Sequence, residues 1–324
     1  MTDRGPESSP QGPDGTCLFV IGMHRSGTSA VTGMLARLDI GVPPRQDLVG
    51  DTTFNERGHF ESKSLTRVDN QLLRTLGGTW SAPPTMEPDW ELQPAIVALR
   101  RGAADAFAAT FPTRPLAWKD PRNCIVLPFW RSLVAPPMAA VLIYRDGLEV
   151  AHSLRTRNQI NLTHGLALWQ RYVRSSCANL AGVPTFVTEY RRLVEDPASS
   201  CHELVRFLAD VGIGIEPGRE RLAIESLDAG LRHEGSSLVG PAGIDADPRE
   251  VLATLRGLDG AHHPWQSPDL GAEPEWVDDV LASQRQYEVL RRQIQSSRAM
   301  RLVNAWWRLR GTRHSSLSAE GDDA

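Results

Sequence analysis

The stretch Gly22-Met23-His24-Arg25-Ser26-Gly27-Thr28-Ser29 combines two spaced glycines with a cation and several hydroxyls. Before it runs a short apolar, β-rich segment, Thr16 to Ile21. After it, Ser29 to Leu38 has Ala30, Val31, Met34, Leu35 and Leu38 at helical spacing, which predicts a helix with one apolar face. Gly22 and Gly27 have the G-x-x-x-x-G spacing of a phosphate cradle between a strand and a helix. Backbone N–H groups of such a loop, and the positive end of the helix behind it, favour an anion. In the version that hydrolyses nucleoside triphosphates, a Lys follows the second Gly and reaches the outer phosphates. Here Thr28 stands at that position and the cation is Arg25. The loop can hold a phosphate but lacks the bridge between β- and γ-phosphates. That argues against ATP or GTP hydrolysis and for a different phosphorylated donor.

Three further clusters lie downstream. Trp118-Lys119-Asp120-Pro121-Arg122 follows a short predicted strand, 115–118, and precedes a predicted helix, 124–133. This places Lys119 and Arg122 at the carboxyl end of a strand, where open α/β sheets bind ligands. The plainer alternative is a surface turn with a solvated Lys. Ala139 to Tyr144 is an apolar strand that runs into Arg145-Asp146, with Ser153 about two helical turns on. Arg offers a bidentate fork to an anion, Ser adds a neutral hydrogen bond, and Asp146 can cap the helix. The last cluster is Asn55-Glu56-Arg57-Gly58-His59-Phe60-Glu61, ahead of a helix with Leu65, Val68, Leu72 and Leu76 on one face. Glu61 gains some stability from the helix dipole, or it serves as a proton acceptor.

A strand, then G-x-x-R-S-G-T-S, then a helix resembles the 5′-phosphosulfate loop of PAPS-dependent sulfotransferases, enzymes of P-loop fold. PAPS is 3′-phosphoadenosine 5′-phosphosulfate. The other clusters fall in the order this family, in its bacterial form, would require. The resemblance implies a three-layer α/β/α domain, P-loop NTPase-like, around a mostly parallel sheet. It implies a donor site of Gly22, His24, Arg25, Ser26, Gly27, Thr28 and Ser29 for the 5′ end, with Arg145 and Ser153 on the 3′-phosphate. The K-D-P turn resembles that of tyrosine-directed and related bacterial sulfotransferases, which makes Lys119 the contact to the sulfuryl group in flight. Relatives with the R-S-G-T loop carry a Glu base downstream, and Glu61 is the candidate, with Glu56, His59 and His24 competing. Arg25 would share the stabilisation of the leaving nucleotide. The resemblance spans Gly22 to Ser153, less than half of the chain. Beyond it, Tyr190-Arg191-Arg192-Leu193-Val194-Glu195-Asp196-Pro197 resembles the family's Y-E-D-L-x-x-D-P element, with arginines in place of the acidic pair. The family's late glycine and basic loop has Leu231-Arg232-His233 as its nearest counterpart, which makes Arg232 a candidate donor ligand.

Composition agrees without deciding. A chain of 324 residues with 41% hydrophobic content can bury a sizeable core, and α/β folds often use this length for one domain. A formal charge of −4 gives no global reason to expect nucleic acid. Cys17, Cys124, Cys177 and Cys201 show no metal-ligand spacing, and a reducing cytoplasm, where PAPS is made, is the natural home. No metal is expected, because a sulfuryl group carries less charge than a phosphoryl. Residues 1–15 read as a disordered tail without an apolar targeting region. Residues 16–273 read as the sulfotransferase-like domain and 274–324 as a C-terminal basic helix and tail.

Two stretches read as irregular insertions. Leu76 to Pro94, with Trp80 and Trp90, either walls the acceptor pocket or is pinned to the core. Gly235 to Pro274 holds His262 and His263, adjacent residues that point apart and make a poor metal pair. Pro274 to Arg310 has a helical pattern that turns basic, with Arg285, Arg291, Arg292, Arg298, Arg301, Arg308 and Arg310 beside Leu302, Val303, Trp306 and Trp307. Such a helix packs on the domain or a partner, or makes peripheral contact with an anionic membrane. The expected function is transfer of a sulfuryl group from PAPS to a small-molecule or glycan hydroxyl: carbohydrate, lipid-linked or secondary-metabolite. The competing readings are a P-loop kinase of a small metabolite and a non-catalytic nucleotide-binding protein.

Overall fold

Every residue of Cys17–Ile21 is buried, so this strand, β1, must be covered on both faces. The computed structural model describes residues 15–50, 60–227, 240–241 and 248–297. Along the chain β1 is followed by α1 (Thr28–Arg37), α2 (Lys63–Thr75), α3 (Pro94–Val97) and α4 (Arg100–Thr110). Then come β2 (Leu116–Lys119), α5 (Asn123–Arg131), β3 (Met138–Tyr144), α6 (Gly147–Asn158) and α7 (Leu162–Asn179). After them lie β4 (Thr185–Glu189), α8 (Tyr190–Glu195), α9 (Pro197–Asp210) and α10 (Arg219–Glu225). The described chain closes with α11 (Pro248–Arg256), β5 (Gly260–His262) and α12 (Glu275–Ser296).

The sheet has the order β2-β1-β3-β4-β5. The first four strands pair in parallel, and β5 pairs antiparallel to β4. Alternate residues of β1 feed opposite layers. Leu18 and Val20 pack with Val31, Met34 and Leu35 of α1 and with Phe207 of α9. Cys17, Phe19 and Ile21 pack on the other face with Trp118, Trp130 and Trp169. Trp118 sits with its ring 5.4 Å from Phe19 and 4.6 Å from Trp130, which fixes β2 against β1. The chain therefore forms the expected three-layer α/β/α architecture with a mostly parallel sheet. Register sets the carboxyl ends level: Val20 lies beside Lys119 on one side and Val141 on the other, and Tyr144 pairs with Glu189. The strand order reverses direction around β1, so the loop after β1 opens at a topological switch point.

The stretch read as an irregular insertion at 235–274 contains a helix, α11, and an edge strand, β5. Backbone pairing of Thr185 with His262 captures this short segment, which has little apolar pattern of its own. The helix expected over 274–310 begins at Glu275 and ends at Ser296, where Ser297 turns extended. Its first half packs through Val277 and Leu281, held by Arg171 against Glu273 and Asp278 at 2.7 and 3.1 Å. Its second half leaves Tyr287, Val289, Leu290 and Ile294 exposed. No described helix is long and apolar enough to cross a membrane. Residues 1–14 of the tail expected at 1–15, Glu56, His59, Arg232 and the basic residues Arg298, Arg301, Arg308 and Arg310 lie outside the described residues, as do Leu302, Val303, Trp306 and Trp307.

All four cysteines are buried as free thiols. Burial pushes the pKa of Cys17, Cys124 and Cys177 up to about 12 and that of Cys201 up to about 11.

Candidate active site

The loop from β1 to α1 is shaped by two glycines whose neighbours leave no room for a side chain. A Cβ on Gly22 would stand 2.4 Å from the carbonyl oxygen of Ile143 on β3. Gly27 caps α1 at φ 95°, and a Cβ there would stand 2.2 Å from Cδ2 of Tyr190. Arg25 also adopts a left-handed backbone, with φ 69°. The donation of Ser26 N–H to Met23 O at 3.1 Å tightens the turn. The first turn of α1 carries no acidic residue and its cap makes no side-chain hydrogen bond, so no carboxylate competes for the positive end. Gly27→Ala is therefore expected to cost about 1–3 kcal/mol in stability, from the positive φ and the forced shift of Tyr190. It is expected to weaken adenosine 3′,5′-bisphosphate binding at least about tenfold, or 1.4 kcal/mol. Melting curves with and without the bisphosphate read both effects; wild-type behaviour in both would show that the cradle does not depend on this close approach.

The residues after β3 close on this loop. Arg25 Nε donates to Ser153 Oγ on α6 at 2.8 Å, joining positions far apart in sequence. Asp146 caps α6 by accepting from Leu148 and Glu149 N–H groups. The backbone of Arg145 is pinned by Trp169 Nε1, which donates to its carbonyl at 2.9 Å. Its guanidinium lies 4.8 Å from the centre of the Tyr190 ring, donates to Glu149 at 2.6 Å and reaches the carbonyl of Arg25 at 3.4 Å. Desolvation, then the charges of Arg157 and Arg145, hold the pKa of Arg25 below the ordinary guanidinium value. Cations from the loop, β3 and α6 thus crowd together at the mouth of the cradle, a field that an anion would relieve.

The sequence reading missed Arg157 and Tyr190 as members of this group. Arg157 lies one helical turn beyond Ser153, so i,i+4 spacing on α6 could have found it. Tyr190 opens the segment that resembles the Y-E-D-L-x-x-D-P element, but nothing in that pattern tells that its ring packs on Arg145 and closes on Gly27. The arginines that replace the acidic pair of the Y-E-D-L-x-x-D-P element make local ion pairs instead. Arg191 meets Glu195 at 3.4 Å, and Arg192 meets Glu203 at 2.6 Å.

On the other side of the loop, Glu61 and Lys119 meet in a direct ion pair, both nearly sealed from solvent. Arg122, fully buried, lies 3.9 Å from Glu61 and 3.1 Å from Asp120, and its Nε donates to Asn70 Oδ1 at 2.8 Å. Burial opposes its charge, but the carboxylates of Asp120 and Glu61 outweigh this and hold its pKa above the ordinary value. Thr66 donates to Asp120 at 2.8 Å. Trp130 Nε1 donates to Asp69 at 2.7 Å. Burial, and then Asp120 beside it, raise the pKa of Asp69 well above the carboxylate range. The turn after β2 is thus a buried ionic network rather than a solvated surface turn. Thr66, Asp69 and Asn70 share one face of α2, a polar seam that the apolar Leu65, Leu72 and Leu73 obscured in the sequence.

The connection at 76–89 is pinned from several sides. Tyr172 Oη donates to Trp80 O at 2.8 Å, His164 bonds Ser81 O at 2.6 Å, and Arg285 donates to Pro83 O at 2.6 Å. Its Trp80 ring sits 4.7 Å from the ring of His24, so the segment also forms a wall of the cradle. His262 bonds Leu258 O while His263 faces Asp210 at 3.6 Å, so the two rings do part company.

The chain matches no family model and no curated protein. Among solved structures it is similar to a sulfotransferase domain from the Synechococcus PCC 7002 olefin synthase, at 16% identity over 87% of this chain and 98% of that one, TM-score 0.40. A sulfotransferase domain from the curacin biosynthetic pathway gives 15% identity, 84% and 98% coverage and TM-score 0.42. Retinol dehydratase in complex with androsterone and the inactive cofactor PAP gives 15%, 86% and 80%, and 0.36. At such identities the chemistry has to be argued from the residues themselves.

Proposed function

We propose that the protein is a sulfotransferase that moves a sulfuryl group from PAPS to an acceptor hydroxyl. The observation that carries the reading is the closure of Arg25 onto Ser153 beside Arg145, at the mouth of a phosphate cradle with Thr28 in the lysine position. The donor set fits such a nucleotide: a cradle too tight for a Cβ at Gly22 and Gly27, crowded guanidinium groups, and buried Ser26 Oγ without a hydrogen-bond partner. Gly22, Ser26, Gly27, Thr28, Ser29 and Arg25 would hold the 5′ end, and Arg145, Ser153 and Arg157 the 3′-phosphate. When bound, the donor supplies a sulfuryl group on a nucleotide phosphate.

The rest falls to the protein's own side chains. Lys119, buried, and Arg25, at the exposed mouth of the cradle, place positive charge where the leaving oxygen becomes negative, a preorganised field. Glu61 accepts the proton of the acceptor hydroxyl. Its ion pair with Lys119 ties the two roles together: as Glu61 takes a proton it releases Lys119 to the developing charge. Trp80 supports the cradle wall through His24.

Arg145→Ala is expected to weaken adenosine 3′,5′-bisphosphate binding about 10- to 100-fold, the loss of a charge-assisted contact of about 1.5–3 kcal/mol. Binding of adenosine 5′-phosphate should change by less than about threefold. Calorimetric titration of both ligands tests this. Equal losses would show that Arg145 does not read the 3′-phosphate.

A further inference from the structure

His24 is the third residue of the cradle, and its Nε2 is buried without a hydrogen-bond partner. Its ring is held 4.7 Å from Trp80 and 5.8 Å from Tyr172. A buried polar atom left unpaired is costly, and both rings against it are uncharged, with the Tyr172 hydroxyl turned to Trp80 O. The charges that reach it are of one sign: Arg122 and Lys119 from the end of β2, Arg157 from α6, and Arg25 beside it. The carboxylates on that side, Glu61 and Asp120, are engaged by Lys119 and Arg122. Burial first, and then these cations, hold the pKa of His24 well below the ordinary histidine value, so the free protein carries a neutral imidazole.

An anion in the cradle inverts this field. We propose that His24 is a donor ligand that takes up a proton from solvent as the nucleotide binds. In the free protein the imidazole is neutral; in the complex both nitrogens carry hydrogen, and Nε2–H donates to an anionic oxygen of the ligand. One proton enters and no covalent bond of the nucleotide changes. The proposal rests on the donor reading above and adds a linkage to it. Affinity rises as pH falls, by up to about tenfold per unit, for as long as the complex holds a proton that the free protein lacks.

The test is calorimetric titration of the full chain with adenosine 3′,5′-bisphosphate near neutral pH, in buffers of different ionisation enthalpy. In wild type the binding heat should vary with the buffer in the sense of proton uptake. In His24→Gln most of that variation should vanish, and the pH dependence of affinity should flatten. The ¹⁵N shifts of the wild-type His24 ring give a second readout that needs no variant: neutral without the bisphosphate, imidazolium with it. Equal buffer dependence in both proteins, or a ring that stays neutral on binding, overturns the proposal and leaves the donor reading standing. The absence of any bisphosphate binding to wild type overturns both.

Discussion

Glu61→Gln is expected to leave adenosine 3′,5′-bisphosphate binding nearly unchanged and to cut turnover by about 10²–10⁴. Gln keeps the shape of the side chain and one acceptor oxygen but cannot take the acceptor's proton. The same change leaves Lys119 and Arg122 facing a neutral amide in a buried setting. A stability loss of about 1–3 kcal/mol should therefore accompany the loss of activity. The two effects are separated by assaying well below the melting temperature of the variant, with bisphosphate binding as the check on folding. Near-normal turnover would remove Glu61 from the role and hand it to Glu56 or His59, or to His24 if its ring stays neutral when the nucleotide binds.

Arg122→Leu is expected to be the most destabilising of these substitutions, at about 3–5 kcal/mol by denaturant unfolding. Leu fills part of the space and removes the charge. Asp120 at 3.1 Å and Glu61 at 3.9 Å then lose a fully buried counter-ion, and Asn70 loses its donor. Against a typical domain stability of about 5–15 kcal/mol, a loss of this size unfolds a substantial share of the molecules under mild denaturant. A cost below about 1 kcal/mol would mean that the carboxylates are relieved by proton uptake, and that the network does not depend on Arg122 as drawn.

The parts of this site that were legible in the sequence are those carried by local pattern. Two glycines at fixed spacing, an apolar strand before them and a helical face after them located the cradle. Pattern also located the strand that ends at Tyr144 and the helix that Asp146 does cap, while the choice of Arg145 and Ser153 on them came from the resemblance to the family's 3′-phosphate signature. What pattern could not give was which distant residues close on one another. Arg25 and Ser153 meet because β1 and β3 are neighbours in the sheet, a fact of strand order rather than of sequence spacing. The Glu61–Lys119 pair is of the same kind: its members come from the approach to α2 and the end of β2. Strand β5 was hidden because its partner on β4 holds it by backbone hydrogen bonds, which leave little trace in residue type. The polar seam of α2 was hidden because buried polar residues look like solvated ones until their partners are in place.

On this reading the cradle takes a 3′-phosphorylated adenosine nucleotide rather than a triphosphate. A thermal-shift series with adenosine 3′,5′-bisphosphate, ATP with Mg²⁺ and GTP with Mg²⁺ distinguishes the two. Stabilisation follows affinity by mass action, about 2.7 kcal/mol at a ligand concentration one hundred times the Kd. A clear rise in melting temperature is expected with the bisphosphate and little with either triphosphate. Stabilisation by ATP or GTP with none by the bisphosphate would contradict it.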